Sequence, residues 1–398
     1  VTKLVQARDV VDLNPSIPRT LLERPEMQVS FLPMASVGED GTYQNGQHRS
    51  VQQVLKGFTY FANGDVIVAK ITPCLQNGKA ALLRNLKNGH GFGSTEFHVL
   101  RPGPDIDAQY LFYMIWNPAF RHHAVRRFTG SAGQQRVPVD AVADFEFPLP
   151  PLAEQKRIAA ILDKADAIRR RRREATRLTD QLIPSIFYEM FGEWLVLPVS
   201  KMQRLGDPEL AEVVSGVTKG RRFNGQPTTM VPYIRVANVQ DGFLNLSEIK
   251  TIEVLPQDVE SLRLQRGDIL MTEGGDFDKL GRGAIWNHDI PDCIHQNHVF
   301  RVRCSHQKLL PEFFANYIRM HIAREYFLRC AKKTSNLASI NMTQLRDLPV
   351  PTVPIEHQKR FVADTHVIRH MKLEQESSGS KANDLVASLV QRAFRGKL

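Results

Sequence analysis

The chain has 398 residues, 42% hydrophobic and 24% charged, with 52 Lys and Arg against 42 Asp and Glu for a formal net charge of +10. That length admits two or three domains, each with its own core, and the basic balance favours a polyanionic partner. Four scattered cysteines, Cys74, Cys293, Cys304 and Cys330, exclude a disulfide framework and a thiolate zinc site, and no apolar run approaches ~18 residues, so a cytoplasmic protein without a membrane segment or signal peptide is expected.

Taken in order, the elements come twice. Residues 29–35 and 231–237 each read as a strand followed by an acidic turn that ends at Gly41 or Gly242. Next, Gly64-Asp65 and Gly267-Asp268 are turns that launch buried strands at 66–69 and 269–272. Glycine-containing loops follow at 76–79 and 274–283, then strands at 95–100 and 296–301, and aromatic helices at 109–116 and 311–318. Basic, polar loops come next at 126–136 and 332–340, and a proline-rich hinge closes each copy. Aligning the hinges pairs Gln155 with Gln358, 358 − 155 gives an offset of 203, and an offset near that value recurs along the whole chain.

Each hinge runs into a long basic helix. In the first, Pro148, Pro150 and Pro151 end any strand, so the helix begins at or after Pro151. Ile161, Ala165, Ile168, Ala175, Leu182 and Ile186 fall on a 4-3 spacing, with polar Arg172 and Thr179 in two of the intervening seam positions, and this narrow stripe makes a coiled-coil-like spacer. Residues 152–183 would span ~48 Å at ~1.5 Å per residue. The second offers Phe361, Ile368, Met371, Leu385 and Leu389, with a break expected at Ser377-Ser378-Gly379-Ser380. The expected plan is two α+β domains, 1–147 and 193–348, each followed by a spacer helix, 148–192 and 349–398.

Catalytic motifs are weak throughout. Asn117-Pro118-Ala119-Phe120 departs from the N-P-P-F/Y of amino-methyltransferases at its third position and reads as a helix end. Asp105 with Glu154 makes a forced nuclease pattern whose Glu lies on the spacer, where an acidic residue suits a helix N-terminus. His295 and His298, three apart on a strand, face opposite sides and make no zinc set. The five arginines from Arg169 to Arg173 read as a solvated helix face.

The loops instead combine cations with amides, which suits phosphate anchoring and base-edge hydrogen bonding. The candidate DNA contacts in the first half are Lys79, Arg126, Arg127, Gln134, Gln135 and Arg136. In the second half they are Lys219, Arg221, Arg222, Lys279, Arg282, Lys332, Lys333 and Asn336.

The P-L-P-P-L-A-E-Q-x-R-I hinge at 148–158, the G-D-[IV]-[IL] strand starts, the I-H-Q-N-H-V-F-R run at 294–301 and the tandem offset together resemble the DNA-specificity subunits of Type I restriction–modification systems. The second hinge departs in reading Ile355-Glu356-His357-Gln358 where that family has L-x-E-Q. The resemblance implies a tandem pseudo-two-fold duplication whose two recognition domains read the halves of a bipartite double-stranded DNA target, with two antiparallel helices as a ruler between them. It implies no catalytic, cofactor or metal residues in this chain. S-adenosylmethionine is expected on modification subunits, two of them, and ATP and Mg on restriction subunits. Two alternatives remain: an enzyme with a cryptic methyltransferase or nuclease site, and a coiled-coil scaffold that binds DNA without sequence preference.

Overall fold

A computed structural model of the chain describes residues 3–131, 133–275, 280–288, 290–333 and 338–398. It resolves into two compact units, Val1–Glu174 with Glu376–Leu398, and Ala175–Gln375.

In the first unit, one antiparallel sheet runs in the order Val11–Leu13, Phe97–Pro102, Val66–Ala69, Ala80–Leu82. A second sheet is ordered His48–Ser50, Gln28–Leu32, His90–Gly93, Thr59–Ala62, with its middle pair parallel. The Gly-Asp turn shows how sequence sets this up. Gly64 takes φ +89, open to glycine at little cost, and buried Asp65 accepts from the Ala62 N–H at 2.7 Å. Arg101 on the neighbouring strand then donates to both Asp65 oxygens at 2.8 Å, fixing the strand pair. The helix Ala108–Trp116 is capped by Asp107, which accepts from Gln109 and Tyr110 at 3.0 Å, and it is buried continuously from Tyr110 to Ile115.

The second unit repeats this plan. Its main sheet is ordered Ala211–Ser215, Val299–Cys304, Ile269–Thr272, Gly283–Ile285, and its second is Lys250–Val254, Thr229–Ile234, Ile294–His295, again with a parallel pair. Gly267 has φ +92, and Asp268 accepts from Gln265 N–H at 2.7 Å and from Arg303 at 2.7 and 2.8 Å. The fold is therefore a tandem duplication of one mixed α/β domain carrying two long helices.

Each hinge starts as an edge strand, Glu146–Leu149 on Lys3–Gln6 and Pro349–Val350 on Gln203–Arg204. The helices Leu152–Leu195 and Ile355–Phe394 follow. Within the first unit, Ile158, Leu162 and Ala165 share one core with Val386, Val390 and Ala393 and with Tyr110 and Phe147 of the domain. Within the second, Phe187 packs on Phe361 and Phe313 at ring-centroid distances of 5.3 and 5.2 Å, and the Thr179 hydroxyl donates to Gln375 at 2.9 Å. The helices run antiparallel in both units.

Two sequence expectations are corrected here. The second helix is continuous through Ser377–Ser380, because one Gly costs only about 1 kcal/mol in a helix whose packed face resumes at Ala382. The buried stripe of the first helix also departs from the expected seam, keeping Ala165 and Thr179 but moving one residue on at both ends. Leu162 and Phe187 are buried where 161 and 186 were expected to be. Ile168 and Leu182 are exposed, Ile161, Ala175 and Ile186 are half-buried, and Ala165 is buried. On the second helix Met371 and Leu385 are exposed, Leu389 is half-buried, and Phe361 and Ile368 are buried. One residue turns a helix by about 100°, and the stripe that packs includes Thr179, Thr365 and the mostly covered Arg169, so apolar identity alone selects its neighbour.

Candidate nucleic-acid interface

The basic loops fold against the end of the buried strand in the same way in both units. In the first, Val66–Ala69 runs on into Lys70, Ile71 and Thr72. Arg136 bridges both Ile71 and Thr129, so residues 129–136 form a hairpin on that strand end. Thr72 N–H donates to Gln135 O at 2.9 Å, Gln135 N–H returns to the Thr72 hydroxyl at 3.2 Å, and Val137 N–H donates to Lys70 O at 2.8 Å. Gly130 and Gly133, at φ +107 and +89, supply the turn.

In the second unit Gly274–Gly275 pairs with Ala338–Ser339, which pairs with Lys332–Lys333. Ile340 N–H donates to Glu273 O at 2.8 Å, and Glu273 N–H to His298 O at 3.0 Å. Their counterparts in the first unit, Val137 to Lys70 and Lys70 to Glu96, measure 2.8 and 2.9 Å. The backbone is conserved between the copies while the side chains on it are exchanged.

Those side chains differ in charge. In the first hairpin Arg136 donates to Glu96 through Nε at 3.0 Å and Nη2 at 2.7 Å. This donation, stronger than the opposing effect of burial, holds the Glu96 carboxyl below the usual carboxylate range. In the second, Ser339 stands at the position of Arg136, and the Glu273 carboxylate meets the His298 ring instead. Each hairpin thus presents a different donor and acceptor pattern on one frame.

The remaining candidates are spread more widely. Gln134 is exposed beside Arg136, and Gln135 is half-buried with its backbone in the hairpin. Arg126 and Arg127 are exposed at the end of the helix Pro118–Val125, where Arg127 donates to His123 O at 3.2 Å. Lys79 is half-buried and donates to Met34 O at 3.2 Å, so its ammonium is spent on the backbone. Lys219 and Arg222 are exposed, while Arg221 pairs with Asp258 at 3.1 Å. Arg282 is half-buried and reaches Gln240 at 3.4 Å, and Lys332 is exposed on its strand. Lys279 and Asn336 lie outside the described residues, as does the side chain of Lys333.

Sequence reasoning passed over Lys70, Thr72, Glu96 and Glu273, which stand where the buried strands end. The signal available was the repeat itself, since Lys70 and Glu273 occupy matching positions with opposite charge. Of the weighed motifs, Asn117 caps the next helix by accepting from Ala119 N–H at 2.8 Å. His295 is buried, with Nδ1 2.6 Å from Val299 O, whereas His298 is exposed. Among the described residues no group of three or more His, Cys, Asp or Glu could hold a metal ion, and no helix is long and apolar enough to cross a membrane.

Comparison with known proteins places these domains. Residues 8–177 match the model of the Type I restriction modification DNA specificity domain. The Type I restriction enzyme EcoAI specificity subunit of Escherichia coli is 42% identical over 152 residues, covering 37% of this chain and 25% of that one. The EcoKI specificity subunit of Escherichia coli K12 is 22% identical over 327 residues, 75% of this chain and 68% of that one. The match with EcoAI and with the EcoEI specificity subunit spans about a quarter of their lengths, 25% and 26%. Among solved structures, a chain from work on assembly and conformational transition of the type I R-M system aligns over 100% of this chain and 98% of its own, with a TM-score of 0.62 at 20% identity. The S subunit from M. genitalium aligns over 98% and 96%, with a TM-score of 0.50 at 15% identity. These two likenesses concern the fold.

Proposed function

We propose, from the premise that the chain belongs to the DNA-specificity subunit family of Type I restriction–modification systems, that it reads a bipartite double-stranded DNA target, one half per domain. The observation that carries this reading is the pair of hairpins: one backbone frame, used twice, bearing Lys70, Glu96 and Arg136 in one copy and Glu273, His298 and Ser339 in the other. A scaffold that only gathered phosphates would need no such exchange, because phosphate contacts are the same at every sequence. Base edges differ, and acceptors and donors placed differently on the same frame select different bases.

The chain itself supplies recognition and assembly in the cytoplasm, and the chemistry belongs to its partners. Modification subunits bring S-adenosylmethionine, and restriction subunits bring ATP and Mg. Two modification subunits per chain are supported by apolar side chains repeated on the helices. Ile168 and Leu385 are exposed in the first unit, and their counterparts Met371 and Leu182 are exposed in the second. Each unit thus offers the same pair of apolar contacts to one copy of a partner.

Purified chain with S-adenosylmethionine and DNA is expected to leave DNA unmethylated, and adding the modification subunit to restore methylation at one split motif. Methylation by the chain alone would sink this reading in favour of a cryptic enzyme. In competition binding at ~150 mM salt a sequence reader keeps its preference while nonspecific phosphate binding collapses. Mapping methylated adenines genome-wide with and without the gene gives the motif directly.

A further inference from the structure

Each unit contains a cavity where its domain meets the two helices, and the two cavities occupy matching places in the repeat. In the second unit it has a volume of about 600 Å³ and is lined by Asp180, Asp241, Arg319, Arg369 and Lys372 over an apolar floor. In the first it is about 280 Å³, with Asn383, Trp116 and Arg169 at the positions of Asp180, Arg319 and Lys372. A further difference lies on the helix, at the position of Arg369.

In the first unit that position is Asp166. It is buried, and it receives Arg169 at 2.5 Å and Arg170 at 2.7 Å. The first copy therefore brings its own carboxylate to the helix face beneath the domain. In the second unit, the counterparts of Asp166, Arg169 and Arg170 are Arg369, Lys372 and Leu373. A cation has replaced the carboxylate, and the carboxylates around the cavity are already engaged. Asp180 holds Lys372 at 2.5 Å, and Asp241 takes Arg319 at 3.1 Å and Arg324 at 2.7 Å. Arg369 is half-buried and has no hydrogen-bond or ion-pair partner among the described residues. Withdrawing a guanidinium from water without an acceptor is costly, and its planar fork is matched to a carboxylate. Burial pulls the Arg369 pKa down; the Glu312 charge opposes this without making an ion pair, and the Arg319 charge adds to it.

We propose that the cavity of the second unit binds a small organic carboxylate, its anionic end on Arg369 and its apolar body on Ile183, Ile285 and Ile368. The ligand supplies from outside the charge that Asp166 supplies from within the first unit. The volume falls within the range of small-molecule sites, and the lining sets an apolar wall of Ile183, Ile285 and Ile368 against five charged side chains. Nothing in this inference depends on DNA reading.

Calorimetric titration of the full chain with 4-phenylbutyrate, and with 4-phenylbutanol as its uncharged match, tests it. The carboxylate is expected to bind once per chain and the alcohol at least about tenfold more weakly, the difference a charge-assisted pair makes. Arg369→Gln should weaken the carboxylate by a similar factor and leave the alcohol unchanged. Arg369→Asp, which reinstates the first unit's arrangement beside Lys372, should abolish carboxylate binding while keeping a wild-type melting curve. Equal affinity for the two probes, undiminished binding by Arg369→Gln, or no binding at millimolar carboxylate would each overturn the proposal.

Discussion

Gln155 and Gln358 pin the start of each long helix to its own domain with the same three hydrogen bonds. Gln155 accepts from Asp107 N–H at 2.8 Å and donates to Asp105 O at 2.9 Å and Pro150 O at 2.8 Å. Gln358 accepts from Leu310 N–H at 2.9 Å and donates to Lys308 O at 2.9 Å and Val353 O at 2.8 Å. Both are sealed from solvent, at 0% and 1% exposure, so no water can substitute. A carboxamide is the side chain that offers one acceptor and two donors in a plane, which is why the hinge carries Gln in both copies.

Replacing either Gln with Leu orphans one backbone N–H and two carbonyls. At about 1–3 kcal/mol for each buried unsatisfied group, partly relieved by relaxation, Gln155→Leu and Gln358→Leu should each cost about 2–4 kcal/mol in urea denaturation. Gln155→Glu should also destabilise, because a carboxylate keeps the acceptor and loses both donors. A loss below about 0.5 kcal/mol for the Leu variants would show that the pin carries no energy.

His295 predicts an acid limit on stability. Burial pushes its pKa down from 6.5 to about 4, with Arg301 and Arg303 opposing the charged form and the Val299 carbonyl and Asp268 only partly offsetting them. The unfolded chain therefore takes up a proton near pH 6.5 that the folded chain refuses until about pH 4. The stability is complete above the upper value and drains away as pH falls through that window, by roughly 3 kcal/mol. Urea melts at a series of pH values should show this slope in the wild type and a flatter one in His295→Gln. Identical slopes would remove His295 as the cause.

The sequence made the duplication legible because its strongest signals are backbone signals. Gly64-Asp65 and Gly267-Asp268 announce a positive φ and a closing carboxylate, and the prolines before Leu152 and Ile355 announce a helix start. The seam was harder. Thr179 lies on the buried stripe as its spacing predicts, but the stripe also takes in Arg169 and Thr365, and the burial of Arg169 depends on its partner Asp166, which no local apolar pattern reveals. The hairpins were visible as basic loops, but Glu96 and Glu273 were not, since their role exists only once distant segments pair. The same holds for Arg369, an ordinary helix cation until its counterpart Asp166 is set beside it.

Gly379 offers a stabilising test of the continuous second helix. No heavy atom lies within 4 Å of where its Cβ would stand, and its φ is not in the left-handed range. Gly379→Ala should therefore stabilise the chain by about 0.5–1 kcal/mol, by lowering the entropy lost on folding. A destabilised variant would mean that the helix does break at this point. Thermal denaturation by circular dichroism at 222 nm, a wavelength that follows helix content, measures the shift.

Glu96 decides how much charge the first hairpin offers to the proposed DNA target. Its carboxylate engages the Nε–Nη2 edge of the Arg136 guanidinium while Nη1 donates to Gln134 O at 3.2 Å, so the cation that faces the proposed target is partly neutralised in the free chain. Glu96→Gln should release Arg136 for a phosphate and steepen the fall of log K with log salt by about 0.9, the increment for one further neutralised phosphate. Arg136→Gln should make that slope shallower if Arg136 already touches a phosphate in the wild type, or leave it unchanged if Arg136 reads a base edge, in which case discrimination at one half-site is lost. In either case the effect belongs to the half-site read by the first domain, and exchanging the base pairs of the other half should leave it untouched. Anisotropy titrations across a salt series, with each half-site scrambled in turn, separate these outcomes. If neither substitution alters slope or discrimination, the hairpin does not meet DNA, and recognition by the first domain lies on another of its surfaces.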